Sequence, residues 1–260
     1  MRYLIYTWAL FTLMSCEKVI QVDLNDSNPQ FVIEAVLEEG EHDFTTRITQ
    51  TTSFFDPKTP KRIGNAVVKL YEDEQVAHTL IYKSDGFYEL SNFTAIAGKN
   101  YRLNVIVDGK EFNANLTMPD KVPIVSVDYE FVDGEDGFGN QIKVSFNDPP
   151  NEKNYYELNT FHDNLGYEAK IGFMTSDFGY DGQLITETLD GLFFSGDTVI
   201  IELKSIDVHF YDYFDTLDNA LGDGGGPGGA APANPTTNWI NGALGYFGSG
   251  NSYMQTVVVP

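Results

Sequence analysis

Cys16 is the one thiol in this chain of 260 residues. A lone cysteine excludes an intramolecular disulfide framework and a cysteine zinc site. What remains is covalent chemistry of the sulfur with another molecule. Cys16 closes the stretch "LFTLMSC", after a run over residues 3–14 that is mostly apolar and uncharged. The other reactive side chains are scattered. None of the four histidines, His42, His78, His162 and His209, has zincin spacing. His162-Asp163 has the residue types of half a triad but reads as a strand running into a turn. "GYFGSGN" places Phe247 where the first glycine of a nucleophile elbow belongs. The glycine run at 224–229 has no P-loop lysine after it.

Two further groups offer binding chemistry. "DGEDGFGN" supplies Asp133, Glu135, Asp136 and Asn140, oxygen ligands of the kind Ca²⁺ takes. Its glycine falls one place early for an EF-hand loop, so a solvated hairpin loop is the plainer reading. "TTNWINGALGYFGSGN" brings Trp239, Tyr246 and Phe247 together among glycines. Such aromatics present flat faces to sugars or anchors to a protein. The alternative is that Trp239 and Phe247 fold back to plug the end of the second sandwich. Carboxylate pairs carry little weight in a chain with 38 acids. The chain is therefore expected to be non-catalytic and to need no cofactor.

The position of Cys16 has a physical explanation. Arg2, an apolar segment too short for the ~20 residues of a membrane span, and the small Ser15 form a secretory leader over residues 1–15. Leu13, Met14, Ser15 and Cys16 resemble a bacterial lipobox, which implies that the sulfur is acylated, with palmitate-type chains, and that the chain is cut before it. Several acyl chains at ~0.8 kcal/mol per buried methylene hold a protein on a membrane without a spanning helix. A net charge of -22, one unit more negative once Arg2 is lost, argues against nucleic acid as a partner.

The elements that must carry these residues are strands. "NYRLNVIVDG" and "EFNANLTMP" alternate apolar and polar positions, the period of a half-buried strand. Asp85-Gly86 and Asp108-Gly109 suit two-residue hairpin turns. Strands recur at about ten-residue spacing, as in a sandwich. Pro119 and Pro123 interrupt the pattern and mark a junction. The expected fold is all-β. Two antiparallel sandwich domains stand in tandem, Ig-like over 16–119 and fibronectin-III-like over 120–260. In "DVHFYDYFDTLDNALG" the apolar residues recur at three and four, predicting a helix over about 210–221 with Asp207 as its cap. A flexible glycine-rich loop over 222–235 and a closing strand in "NSYMQTVVVP" follow.

Two resemblances extend this reading. "NAVVKLYED", "DGFYEL" and "YRLNV" resemble the prealbumin-like or carboxypeptidase-regulatory type of Ig-like sandwich, a signal of fold only. In order, "SCEKVIQVDL", "FVIEAVL", "SFFDP", "GNAVVKLYED", "VPIVSV" and "NPTTNWINGALGYFGSG" resemble a family of Bacteroidota lipoproteins catalogued as a domain of unknown function. The resemblance implies an accessory protein of the outer membrane, encoded beside TonB-dependent receptors and assisting nutrient uptake. It implies the cell surface as the location, with the periplasmic face as the alternative. A stand-alone adhesin or glycan-binding module is the second function class, and a hydrolase a distant third.

Overall fold

The computed structural model describes residues 29–52, 59–134, 137–162, 171–222 and 234–260. Cys16 and the leader expected over 1–15 lie outside the described residues, as do Glu135, Asp136 and most of the glycine-rich loop expected over 222–235. Among the described residues no helix is long and apolar enough to cross a membrane.

The architecture is all-β, with one helix. The first eight strands are β1 (Phe31–Glu38), β2 (Gly40–Gln50), β3 (Lys61–Arg62), β4 (Val67–Glu72), β5 (Val76–Tyr82), β6 (Phe87–Ala95), β7 (Asn100–Val107) and β8 (Lys110–Thr117). Period-two patterning does what it should here. In β1, Phe31, Ile33, Ala35 and Leu37 are buried, while the residues between them are half-exposed. Both Asp-Gly turns form with positive φ at each residue: 53° and 83° at Asp85 and Gly86, 49° and 75° at Asp108 and Gly109. At Gly86 a side chain is also sterically barred, because a Cβ would stand 2.5 Å from the Ile48 carbonyl oxygen.

The remaining elements are β9 (Ile124–Gly134), β10 (Gly137–Asn147), β11 (Tyr155–His162), β12 (Ile171–Ser176), β13 (Leu184–Thr188), β14 (Thr198–Ile206), helix α1 (Val208–Gly222) and β15 (Leu244–Val258). The large sheet runs β12-β11-β14-β15-β1-β2-β6-β5-β4-β7-β8, with β3 on β2, and β13-β10-β9 form a separate three-stranded sheet. Two hydrophobic clusters result. One is built from β1 to β8, around Ile33, Leu70, Tyr88, Tyr101 and Leu103. The other packs β9, β10 and β13 against β11 and β14, around Ile142, Phe146, Tyr156 and Leu203.

The expected division at residue 119 needs one correction. β15 belongs to both units. Its first half pairs in parallel with β1, from Val32↔Leu244 to Glu38↔Gly250. Its second half pairs antiparallel with β14, from Ile206↔Gly250 to Thr198↔Val258. Gly250 is the handover residue, and the two sandwiches share one continuous ladder. A strand of 15 residues is long enough for this. Its pattern, read locally as a strand closing one sheet, does not reveal that it pairs with both.

Helix α1 starts two residues before the predicted range and is capped by Asp207. The Oδ1 of Asp207 accepts the backbone N–H of His209 at 2.8 Å and of Phe210 at 3.3 Å. Its Oδ2 accepts the backbone N–H and the hydroxyl of Ser249, so one side chain fastens the helix start to β15. Gly248 lets the helix lie close, since a Cβ there would sit 2.9 Å from that of Phe210.

Candidate functional site, a cleft between the two sandwiches

The three aromatics that the sequence offers as a binding surface do not form one. Trp239 is 5% exposed and Phe247 fully buried, both in the first hydrophobic cluster. The Trp239 indole Nε1–H donates to the Ile33 carbonyl at 3.0 Å, and Phe247 lies 6.1 Å from Phe44, ring to ring. The pleat of β15 sends Tyr246 to the opposite face, under α1, 4.4 Å from Tyr213 and 5.1 Å from Phe214. Burial is the reason: large rings gain more from a packed core than from water. Trp239 and Phe247 do plug a sandwich, but the first, because residues 239–247 cross to β1 and β8. The Ile240 N–H donates to the Asn113 carbonyl at 2.8 Å and covers the β8 edge.

Of the calcium candidates, Glu135 and Asp136 lie outside the described residues. Asp133 is exposed in the β9–β10 hairpin, opposite Phe138. Asn140 is occupied by an isolated bridge to Phe193. The structure gathers a different set: carboxylate oxygens of Asp148, Asp177 and Asp181 lie within 4.8 Å of one another. Oxygen donors of this kind suit a hard cation, and these residues are the ones that could hold a metal. They also have structural work. Asp148 accepts the Tyr156 hydroxyl at 2.6 Å and the Gly182 N–H at 2.9 Å. Asp177 accepts the Asn154 N–H at 3.2 Å, and Asp181 that of Asn151 at 2.8 Å.

A concave feature with converging polar groups lies beside this cluster, where the sandwiches meet. It is a cleft of about 610 Å³, within the usual size of small-molecule sites. One wall comes from β7 and β8, with Asn100, Asn115 and Thr117. The opposite wall comes from the turn before β11, with Glu152, Lys153, Asn154 and Tyr155. The β14–α1 junction supplies Ser205, Asp207 and His209. On the first wall, Glu74 forms a two-toothed pair with Arg102, Nε to Oε1 at 2.8 Å and to Oε2 at 2.9 Å. The hydrogen bond from Arg102 holds the Glu74 carboxyl below its ordinary value. Burial pushes the Tyr155 hydroxyl up, with Asp212 and Asp177 adding to it. Burial likewise pushes Asp207 up, against the pull of its donors.

Ser205, Asp207 and His209 have the residue types of a nucleophilic relay, but not its connections. Both Asp207 oxygens are committed to amides and to Ser249. The Ser205 Oγ is buried and bonded to nothing. A triad requires a nucleophile–base and a base–orienter hydrogen bond, and neither joins these three. The arrangement is suited to holding a polar molecule by hydrogen bonds. Sequence reading missed it because its residues come from both sandwiches. The polar break "KSID" at the end of β14, after the apolar "VII", was the one local signal.

The chain is an all-β body with two hydrophobic cores and a polar cleft between them. The family model described as "Domain of unknown function (DUF4249)" matches residues 17–256, and the chain belongs to that family. No curated protein matches the chain. Among solved structures, a chain of a cytokine receptor complex aligns at 14% identity with a TM-score of 0.25, over 66% of this chain and 82% of that one.

Proposed function

We propose that this protein is a lipid-anchored accessory protein of the outer membrane, outward-facing, which captures ligand for a TonB-dependent β-barrel receptor and does no chemistry of its own. The observation that carries the reading is the sole cysteine set directly behind an apolar leader, in Leu13, Met14, Ser15 and Cys16. Fourteen residues separate Cys16 from Phe31, a reach of at most ~50 Å. They enter β1 at its Phe31 end, remote from the Glu38 end that adjoins the second sandwich. The first sandwich then stands nearest the lipid, with the cleft and the second sandwich beyond it.

The far end of the second sandwich supports a protein partner. Phe131, Phe138 and Phe194 are 65%, 64% and 52% exposed there. Phe138 and Phe194 touch edge to face at 6.2 Å. Phe131 and Phe138 lie on the face of the β9–β10 hairpin that continues the core-facing positions Tyr129 and Ile142. Clustered exposed aromatics of this kind mark contact surfaces. The stand-alone glycan-binding reading is favoured by the amide- and hydroxyl-lined cleft, which needs no receptor.

The test is a pull-down of the tagged lipoprotein in mild detergent. Recovery of a large β-barrel protein is expected. Recovery of the lipoprotein alone refutes the partnership and leaves the stand-alone module. Cys16→Ala is expected to release the protein to the periplasm or retain it uncleaved, as read by fractionation.

A further inference from the structure

Three buried polar atoms without a hydrogen-bond partner belong to residues that line the cleft or pair with one that does. They are Asn154 Oδ1, Ser205 Oγ and Asn251 Oδ1. Asn154 and Ser205 line the cleft directly. Asn251 is the cross-strand partner of Ser205 in the β14–β15 ladder. Their side chains therefore share one face, about 5 Å apart at Cβ. Ser205 is 4% and Asn251 1% exposed, so bulk water does not serve them. Buried polar groups are nearly always paired, and an exception calls for a cause.

The chemistry of the missing partner can be read from its surroundings. The Asn251 Nδ2 donates to the Pro119 carbonyl at 3.0 Å, which fixes its oxygen as the free end. The nearest hydroxyl on the same cross-strand row, that of Tyr156, is already given to Asp148. Pro119 and Pro149, both at the cleft, have no N–H to offer. The Asn154 and Asn251 amide oxygens can only accept, so the groups they lack are donors, while the Ser205 hydroxyl can take either role. Glu74, Asp120, Glu152 and Asp207 also face the cleft, against Lys153 and His209. An anion would meet an unfavourable field.

We infer that the inter-sandwich cleft is the ligand site, and that it takes a small molecule rich in N–H or O–H donors and free of negative charge. Ser205 Oγ and Asn154 Oδ1, on residues that line the cleft, receive its donors. The inference deepens the capture reading and rests on it. Hydroxyl groups of a saccharide and ammonium groups of an amine share this donor chemistry.

The experiment is titration calorimetry on the full mature lipoprotein in detergent. One arm uses neutral saccharides (glucose, maltotriose, N-acetylglucosamine), a second uses lysine and spermidine, and a third uses citrate and succinate. Binding is expected in the first or second arm, and which arm responds identifies the source of the donors. Ser205→Ala and Asn154→Ala are each expected to weaken it about tenfold, the equivalent of ~1.4 kcal/mol. Ser205→Ala is expected to leave the melting temperature unchanged, because its hydroxyl has no partner to lose. No binding in the first two arms up to about 10 mM, binding by the anions alone, or binding indifferent to both variants overturns the inference. So does a high-resolution crystal structure, grown with the responding probe, in which ordered waters alone satisfy the three atoms. The pull-down reads the other claim separately: a recovered barrel with an unresponsive cleft leaves the partnership standing and removes this site.

Discussion

Removing Trp239 is the sharpest test of how the two sandwiches are joined. The side chain is 5% exposed, and it donates to the Ile33 carbonyl at 3.0 Å. A buried indole removes roughly 150–250 Å² from water. At about 25 cal/mol per Å² this gives ~4–6 kcal/mol as an upper estimate. Trp→Ala changes in cores typically cost about 3–5 kcal/mol. We expect Trp239→Ala to lose ~4 kcal/mol and Trp239→Phe, which loses chiefly the donor and some volume, ~1–2 kcal/mol. The assay is denaturant unfolding followed by far-ultraviolet circular dichroism. Trp8 and Trp239 are the two tryptophans, so a protein beginning at Cys16 also reports through Trp239 emission, expected blue-shifted and poorly quenched by acrylamide. Because β15 continues from the first core into the second, the Ala variant should lower one common transition. A loss below about 1 kcal/mol, a solvent-exposed emission maximum, or destabilisation of one sandwich alone would refute the reasoning.

Other substitutions probe the same construction. Gly245→Ala should cost more than ~3 kcal/mol in thermal unfolding, because φ there is 89° and a Cβ would stand 2.2 Å from the Ile33 carbonyl oxygen. Asp207→Ala should cost ~3 kcal/mol, the sum of a lost helix cap and unmet Ser249 donors; a loss within experimental error would show that α1 is not fastened through this side chain. Burial, then Glu34, pushes the Tyr246 hydroxyl up from 10.0 to about 12. Its folded value is raised, so its contribution is complete below pH 10 and is lost as the pH rises through about 12. Tyr246→Phe should flatten that part of the stability–pH profile, and parallel profiles for parent and variant would contradict the burial.

Much of the fold was legible because its causes are local. Alternation in β1, β7 and β8, the Asp-Gly turns and the 3.6-residue stripe of α1 are each written within a dozen residues. Asp207 as cap was readable for the same reason. The joining role of β15 was not, since parallel pairing of Val32 with Leu244 links residues from opposite ends of the sequence and leaves no periodic mark. The site was obscured by the same distance. Asn154 and Ser205 look like unremarkable polar residues until the topology sets them around one cleft. Trp239 and Phe247 misled as binding residues because glycine neighbours suggest an exposed loop. In fact Gly245 and Gly248 are there so that backbone and helix can approach β15 closely.

The lipid anchor proposed on Cys16 would decide where the protein is held and which way its cleft and exposed aromatics face. Mass spectrometry of the N-terminal peptide from outer-membrane fractions measures it directly. The account predicts a mature chain beginning at Cys16 with acyl chains on that residue. A free thiol at Cys16 in the processed protein, or a chain still carrying residues 1–15, would contradict it.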